Sequence, residues 1–324
     1  MGNYNNDNLF KDTSKEYRAH TIKLNNGVEM PQVGLGTFLI PKENLSHTIA
    51  EAYEMGYRQF DTAWRYHNEA DIAKALKENG INREDVFITT KVNADALFMF
   101  GYWYGKHSII NVRNFKPVRK AIEESFQNLG TDYIDLFLVH WPWPIYRKMY
   151  KELTKFYKEG RIRAIGVCSC LPPHLEALKE VSDVLPVINQ FEISPLNTQK
   201  QLIKYCQDRG IAVEAMSTFS HFRSNNPRNE ILENPVLIPI AQKYGKSVAQ
   251  VVLRWLLQQG IATIAKTWES VHLKENISIF DFELTEEEMV IIDGLDQGKF
   301  LNYNPYNAFR GLPLKYKTWK GFDK

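Results

Sequence analysis

Arg58-Gln59-Phe60-Asp61-Thr62-Ala63-Trp64-Arg65-Tyr66-His67-Asn68-Glu69 reads as a short strand running through a polar loop into a helix. Before it, Leu45 to Met55 has the apolar spacing of a helix, and Gly56 is the residue type on which helices stop. After it, Ala70 to Lys77 has the spacing of the next helix. In an α/β protein, polar residues crowded at the C-terminal end of a strand are where chemistry collects. Asp61 stands at this strand end and Tyr66 lies just beyond it.

The same alternation continues outward in both directions. Apolar strand patterns fall at 33–36, 58–61, 86–91, 134–140, 164–168, 187–190, 212–215 and 261–265. Helical patterns fit 43–55, 69–79, 117–129, 146–159, 173–181, 198–209, 236–244 with 247–259, and 270–276. Eight strands each followed by a helix predict a closed (β/α)8 barrel, the TIM-barrel architecture. A doubly wound sheet needs a Gly-x-Gly-x-x-Gly turn after its first strand, and Gly34-Leu35-Gly36-Thr37 lacks it. Ahead of the barrel, residues 22–24 and 28–30 flank Asn25-Asn26-Gly27, the signature of a hairpin, here expected as a cap. The expected organisation is a polar extension over residues 1–19, then one barrel domain over 20–324 including a C-terminal tail.

Composition narrows the classes. The 324 residues are 44% hydrophobic, enough for a large core, and the net charge of +2 with dispersed basic residues argues against a nucleic-acid partner. No apolar run reaches the roughly 20 residues that span a bilayer, and the N-terminus lacks a secretory h-region. Three cysteines make no disulfide framework, so the expected compartment is the cytoplasm. Two long segments exceed a minimal barrel. Residues 92–116 carry Phe98, Tyr102 and Trp103, and 298–324 carry Tyr303, Tyr306, Phe309, Tyr316, Trp319 and Phe322. Such density suits packing on the barrel wall or lining a substrate pocket.

Asp61, Lys91, His140 and Gln190 all stand at expected C-terminal strand ends, which converge on one rim in a barrel. Taken singly, Asp61 and Lys91 could be a structural ion pair and His140 a core histidine. Together with Tyr66 they make an acid–base device. A free tyrosine titrates near pH ~10; a neighbouring ammonium is expected to lower that value, with a carboxylate holding the ammonium. A neutral imidazole can donate to a carbonyl oxygen. This combination suits protonation of an alkoxide as hydride reaches carbon.

Gly56-Tyr57-Arg58-Gln59-Phe60-Asp61-Thr62-Ala63, with Tyr66 and Asn68-Glu69, resembles the signature of the aldo-keto reductase superfamily. Val86-Phe87-Ile88-Thr89-Thr90-Lys91, Leu138-Val139-His140-Trp141-Pro142, Arg163-Ala164-Ile165-Gly166-Val167, Asn189-Gln190-Phe191-Glu192 and Ile264-Ala265-Lys266-Thr267 continue the resemblance in order. The pattern is similar to microbial members that reduce sugars and diketo acids. The resemblance implies NADP(H), with NAD(H) as the alternative, and a catalytic set of Asp61, Tyr66, Lys91 and His140 in which Tyr66 is the general acid. It assigns Gly36, Thr37, Cys168, Ser169, Gln190 and Met216 to the nicotinamide end. Ser217, Phe219 and Ser220 go to the pyrophosphate, and Lys266, Thr267, His272, Glu275 and Asn276 to the adenosine phosphate and base. Trp64, Trp141, Phe98, Tyr102 and Trp103 are the candidates for substrate contact.

The chain departs from the family at the nicotinamide clamp. Cys168-Ser169-Cys170 stands where Ser-Asn-Phe is usual, Met216 where a stacking tyrosine is usual, and His272 where an arginine is usual. Strand alternation would send Cys168 and Cys170 to one face, but no histidine pair or carboxylate cluster joins them, so no metal is expected. The expected activity is NAD(P)H-dependent reduction of an aldehyde, ketone or sugar-like carbonyl by a monomer or weak dimer. The alternative is a cofactor-sensing or partner-binding barrel with little turnover.

Overall fold

The computed structural model describes residues 20–93, 118–143, 145–219, 226–301 and 304. The expectations for the N-terminal extension, Phe98, Tyr102, Trp103, Ser220 and the C-terminal tail fall outside these residues. The chain enters through a hairpin, β1 (Thr21–Lys23) and β2 (Glu29–Pro31), with Ile22 paired to Met30. Its turn closes through Leu24 N–H donating to Val28 O at 2.9 Å, with Gly27 at a φ of 87° that suits glycine.

Eight parallel strands then close into a barrel: β3 (Val33–Gly36), β4 (Gln59–Asp61), β5 (Phe87–Val92), β6 (Ile134–Val139), β7 (Ile162–Cys168), β8 (Ile188–Glu192), β9 (Ala212–Met216) and β10 (Ala262–Ala265). β10 pairs with β3, which closes the ring. Helices follow the strands around the outside, among them Lys42–Glu54, Glu69–Glu78, Val118–Leu129 and Tyr146–Lys158. Alternation along each strand decides what faces where. Leu35, Phe60, Ile88, Phe137, Ile165, Phe191 and Val213 pack outward into the layer under the helices. Phe87, Leu136, Leu138, Ala164, Ile188 and Ala262 turn inward and cluster with Leu24 and Met30 of the hairpin. The hairpin therefore plugs the end where the strands begin. The opposite end, where they finish, carries the polar residues.

Gly166 shows how tight the interior is. A Cβ there would lie 2.7 Å from Ile188 Cγ2, from the Ile188 carbonyl and from Leu138 Cδ2. One of these atoms is backbone, so relief by rotamer change alone is closed. Gly166→Ala is expected to destabilise by ~1–3 kcal/mol through overpacking. Urea unfolding with an unchanged midpoint would show that the barrel has slack at this level.

Two helices were not expected from periodicity, Asn226–Leu232 and Glu286–Asp293. The second begins with a capping box: Thr285 Oγ1 accepts from Glu288 N–H, and the Glu288 carboxylate accepts from Thr285 N–H. The sequence signal, Thr285-x-x-Glu288, was available. Among the described residues, no helix is long and apolar enough to cross a membrane.

Candidate active site

The loop after β4 is built before its chemistry. Thr62 Oγ1 donates to Asn68 Oδ1 at 2.6 Å. Asn68 Nδ2 donates to Thr37 O at 3.1 Å, and Thr37 Oγ1 donates to Asp61 O at 2.9 Å. Asn68 and Thr37 thus tie the ends of β3 and β4 together. Between them Trp64–Tyr66 makes one 3-10 turn, ended by His67 in the left-handed region at φ 55°. Glu69, buried at the start of the next helix, accepts from Thr90 Oγ1 at 2.6 Å and from Asn128 Nδ2 at 3.1 Å. Burial lifts its pKa above the usual carboxyl value, those hydrogen bonds pulling the other way. Trp64 is buried in the outer core and its indole N–H donates to Glu124 at 3.1 Å. It braces the loop from behind, which corrects its expected place on the substrate wall.

This frame sets Tyr66 against Lys91. The ammonium lies 5.3 Å from the Tyr66 ring centroid, close enough for its charge to act on the phenol. Lys91 donates to Asp61 Oδ1 through a short bond and to Thr62 O at 2.9 Å. Lys91 and Asp61 are both almost wholly buried. Burial alone would lower the lysine's pKa, but Asp61 and Tyr66 outweigh it and the ammonium is held above its ordinary value.

Tyr66 corrects an expectation. Its pKa is pushed up to about 12, because burial outweighs the lowering by Lys91 and Asp61 adds to the rise. The phenol is therefore almost fully protonated at neutral pH. His140 goes the opposite way: burial, then the charges of Lys91 and Arg65, hold it well below its ordinary value, so the imidazole is neutral. The two rings meet edge-on, 5.6 Å between centroids. Trp141 stacks on His140 at 5.8 Å, and Phe38 packs on Tyr66 at 4.7 Å while 37% exposed. Phe38, just past Gly36-Thr37, was missed in the sequence; an apolar residue following a strand-end Gly-Thr on the catalytic rim is the signal.

The other predicted residues ring this centre. Gly36 lies against Lys266, where a Cβ would sit 3.7 Å from the lysine Cβ. Cys168 is buried with its Sγ 3.6 Å from Gln190 Oε1. Ser169 takes a left-handed backbone, φ 51°, and its N–H donates to Gln190 O at 2.9 Å. That reversal breaks the strand alternation. Cys168 joins the interior cluster and Cys170 the outer one, contrary to the expectation of a shared face. No group of three or more potential metal ligands occurs among the described residues. Gln190, assigned to the nicotinamide end, donates Nε2 to Asp61 Oδ2 at 3.0 Å and to Glu214 Oε2 at 2.6 Å. Met216 ends β9, Ser217 follows it at φ 55°, and Phe219 packs against the core. On the far side Lys266 is exposed with its ammonium 4.4 Å from the Trp268 ring centroid. Thr267 Oγ1 accepts from Glu269 N–H at 3.1 Å. His272 lies 3.3 Å from Glu275, and Asn276 is buried beside them.

The rim also holds polar atoms that its own side chains do not satisfy. His140 Nδ1, both amide atoms of Asn93 and Thr218 Oγ1 are buried with no hydrogen-bond partner among the described residues. Leaving such a group unpaired costs roughly 1–3 kcal/mol, so a polar ligand over this rim regains part of that. An exposed ammonium beside an indole face, a short way along the same rim, suits a phosphate joined to an aromatic base. The residues fit an elongated dinucleotide.

A parallel (β/α)8 barrel with a lysine-backed tyrosine and a neutral histidine on its C-terminal rim can hand a proton to an oxygen that is gaining negative charge. The Aldo/keto reductase family matches residues 32–297. Similar proteins include the oxidoreductase YtbE of Bacillus subtilis, 43% identical over 88% of this chain and 95% of its own length. The glyoxal reductase of the same organism is 41% identical over 88% of this chain and 96% of its own length. Among solved structures, the Bombyx mori aldo-keto reductase in complex with NADP superposes with a TM-score of 0.74 at 32% identity, over 90% of this chain and 97% of that one. The chain belongs to the aldo/keto reductase family.

Proposed function

We propose that this protein reduces small aldehydes and ketones to alcohols with NADPH, and that Tyr66 delivers the proton. The observation that carries this reading is the buried run Tyr66–Lys91–Asp61 beside a neutral His140. A phenol held near pH 12 stays protonated until an alkoxide, a far stronger base, develops next to it. Lys91 steadies the phenolate left behind, and Asp61 fixes Lys91 so that little reorganisation is needed. His140 donates a hydrogen bond to the carbonyl oxygen and orients it. Phe38 and Trp141 give the mouth apolar walls that exclude water. When bound, the reduced nicotinamide supplies hydride to the carbonyl carbon.

Lys266, Thr267 and Asn276 are the residues proposed to hold the adenosine end, with Ser217 toward the pyrophosphate and Ser169 toward the nicotinamide. The glyoxal reductase among the relatives makes 1,2-dicarbonyls the first substrates to try. The test follows NADPH consumption with glyoxal, methylglyoxal, aromatic aldehydes, aldoses and simple ketones. Steady turnover with at least one of the small aldehydes is expected. Tight NADPH binding without turnover across the panel would favour the cofactor-sensing alternative.

Lys266 carries its own prediction. A charge-assisted contact with the 2′-phosphate contributes ~1–3 kcal/mol, so Lys266→Met is expected to weaken NADPH binding roughly ten- to hundredfold. NADH, which lacks that phosphate, should bind the variant and the wild type alike. Fluorescence titration of both cofactors gives the answer; equal losses for NADH would mean that Lys266 shapes the site rather than reading the phosphate.

A further inference from the structure

Behind the Asp61–Lys91 pair lies a second carboxylate that the reaction just described does not use. Glu214 projects from β9 into the barrel and is fully buried. Its Oε2 accepts from Gln190 Nε2 at 2.6 Å and its Oε1 from Gln59 Nε2 at 2.7 Å. Gln190 Nε2 also donates to Asp61 Oδ2 at 3.0 Å. One amide thus bridges two carboxylates, and Asp61 holds Lys91 on its other oxygen. Gly34 makes the room for this, because a Cβ there would lie 2.9 Å from Gln59 Cδ.

We propose that Glu214 is a positioning residue whose proton sets the charge behind Asp61, and through Lys91 tunes Tyr66 as a proton donor. The idea rests on the reading of Tyr66 given above. Two carboxylates joined by a single amide in a buried space resist ionising together. The groups facing Glu214 are Gln59 and Asp61 from β4, Lys91 from β5, Cys168 from β7 and Gln190 from β8; β3 and β10 bring the uncharged Gly34 and Ala262 to this level. Burial and then Asp61 push the Glu214 carboxyl up to about 7, against the two glutamine hydrogen bonds and Lys91. Gln59 Oε1 is buried and unpaired among the described residues. Turning that amide over would offer the oxygen to a protonated Glu214, so the neutral acid has an acceptor waiting.

The sign follows from charge. With Glu214 neutral, Asp61 alone offsets Lys91, and the ammonium stabilises a developing Tyr66 phenolate. With Glu214 ionised, the group behind Lys91 is one unit more negative and the phenolate is disfavoured. The proton-donating step should therefore slow as pH rises through neutrality, by roughly three- to tenfold given partial transfer in the transition state.

Two measurements test this together. In cofactor-free protein with carbon-13 glutamate, infrared spectra should show a protonated carboxyl band that fades through neutral pH and is missing from Glu214→Gln. In single-turnover reduction the wild-type rate should fall over the same range, while Glu214→Gln keeps the acid-side rate throughout. Gln59→Met removes a hydrogen bond to the carboxylate, so band and rate step should both move to higher pH. A purely packing role for Glu214 would not make the two midpoints travel together. The proposal fails if no glutamate band titrates near neutrality, or if the rate step survives in Glu214→Gln. If the band behaves as stated but no carbonyl is reduced, the functional reading is overturned and the link to Tyr66 goes with it.

Discussion

Replacing Tyr66 by phenylalanine is expected to lower kcat at least ~10²-fold and up to ~10⁴-fold, the range for loss of a positioned general acid. The phenyl ring keeps the contacts with Phe38 and His140, so the loop should hold its shape. NADPH dissociation constants should stay within about twofold of wild type, because removing a group that acts only in the transition state leaves ground-state binding alone. A variant that reduces a good aldehyde at the wild-type rate would remove Tyr66 from the mechanism. Loss of cofactor binding in parallel would make it a structural residue of the rim.

The second large effect is on stability as well as rate. Lys91→Met strips the cation from a buried Asp61, leaving the carboxylate with the Gln190 hydrogen bond at 3.0 Å. Uncovering one half of a buried pair costs ~3–5 kcal/mol. Activity should collapse too, since the phenolate loses its counter-charge. The double variant Lys91→Met/Asp61→Asn should regain most of the stability, having no Asp61 carboxylate left without its cation, yet remain inactive. Comparing urea unfolding of the two singles and the double isolates the coupling. If Lys91→Met unfolds like wild type, the pair is not what holds this end of the barrel.

How far the sequence alone could go depends on where each cause lies. Asp61, Lys91 and His140 were legible because each ends an apolar strand, and eight such strands leave a barrel as the fold in which those ends meet. The hairpin was legible from Asn25-Asn26-Gly27. The acidity of Tyr66 was not, because the lowering by Lys91 can be guessed from residue types while the larger effect of burial cannot. The role of Glu214 was hidden as well, since one partner, Gln59, is 155 residues away and on another strand. Cys168 and Cys170 were misread because Ser169, at φ 51°, reverses a chain that periodicity takes as straight. Trp64 was a candidate for substrate contact, and its burial with the N–H met by Glu124 from a helix could not be read from its place in the loop. Gln190 is held between Asp61 and Glu214, an arrangement that three-dimensional neighbours alone define.

The claim at the centre of the account is that the protein passes hydride from a nicotinamide to a carbonyl carbon while Tyr66 protonates the oxygen. It is tested most directly by mixing protein preloaded with NADPH, deuterated at the transferable position, with methylglyoxal in a single turnover and analysing the product by mass spectrometry. One deuterium is expected on the carbinol carbon of each alcohol formed, with Tyr66→Phe giving the same product far more slowly. An alcohol without deuterium, or NADPH left unoxidised on a protein that binds it tightly, would contradict it.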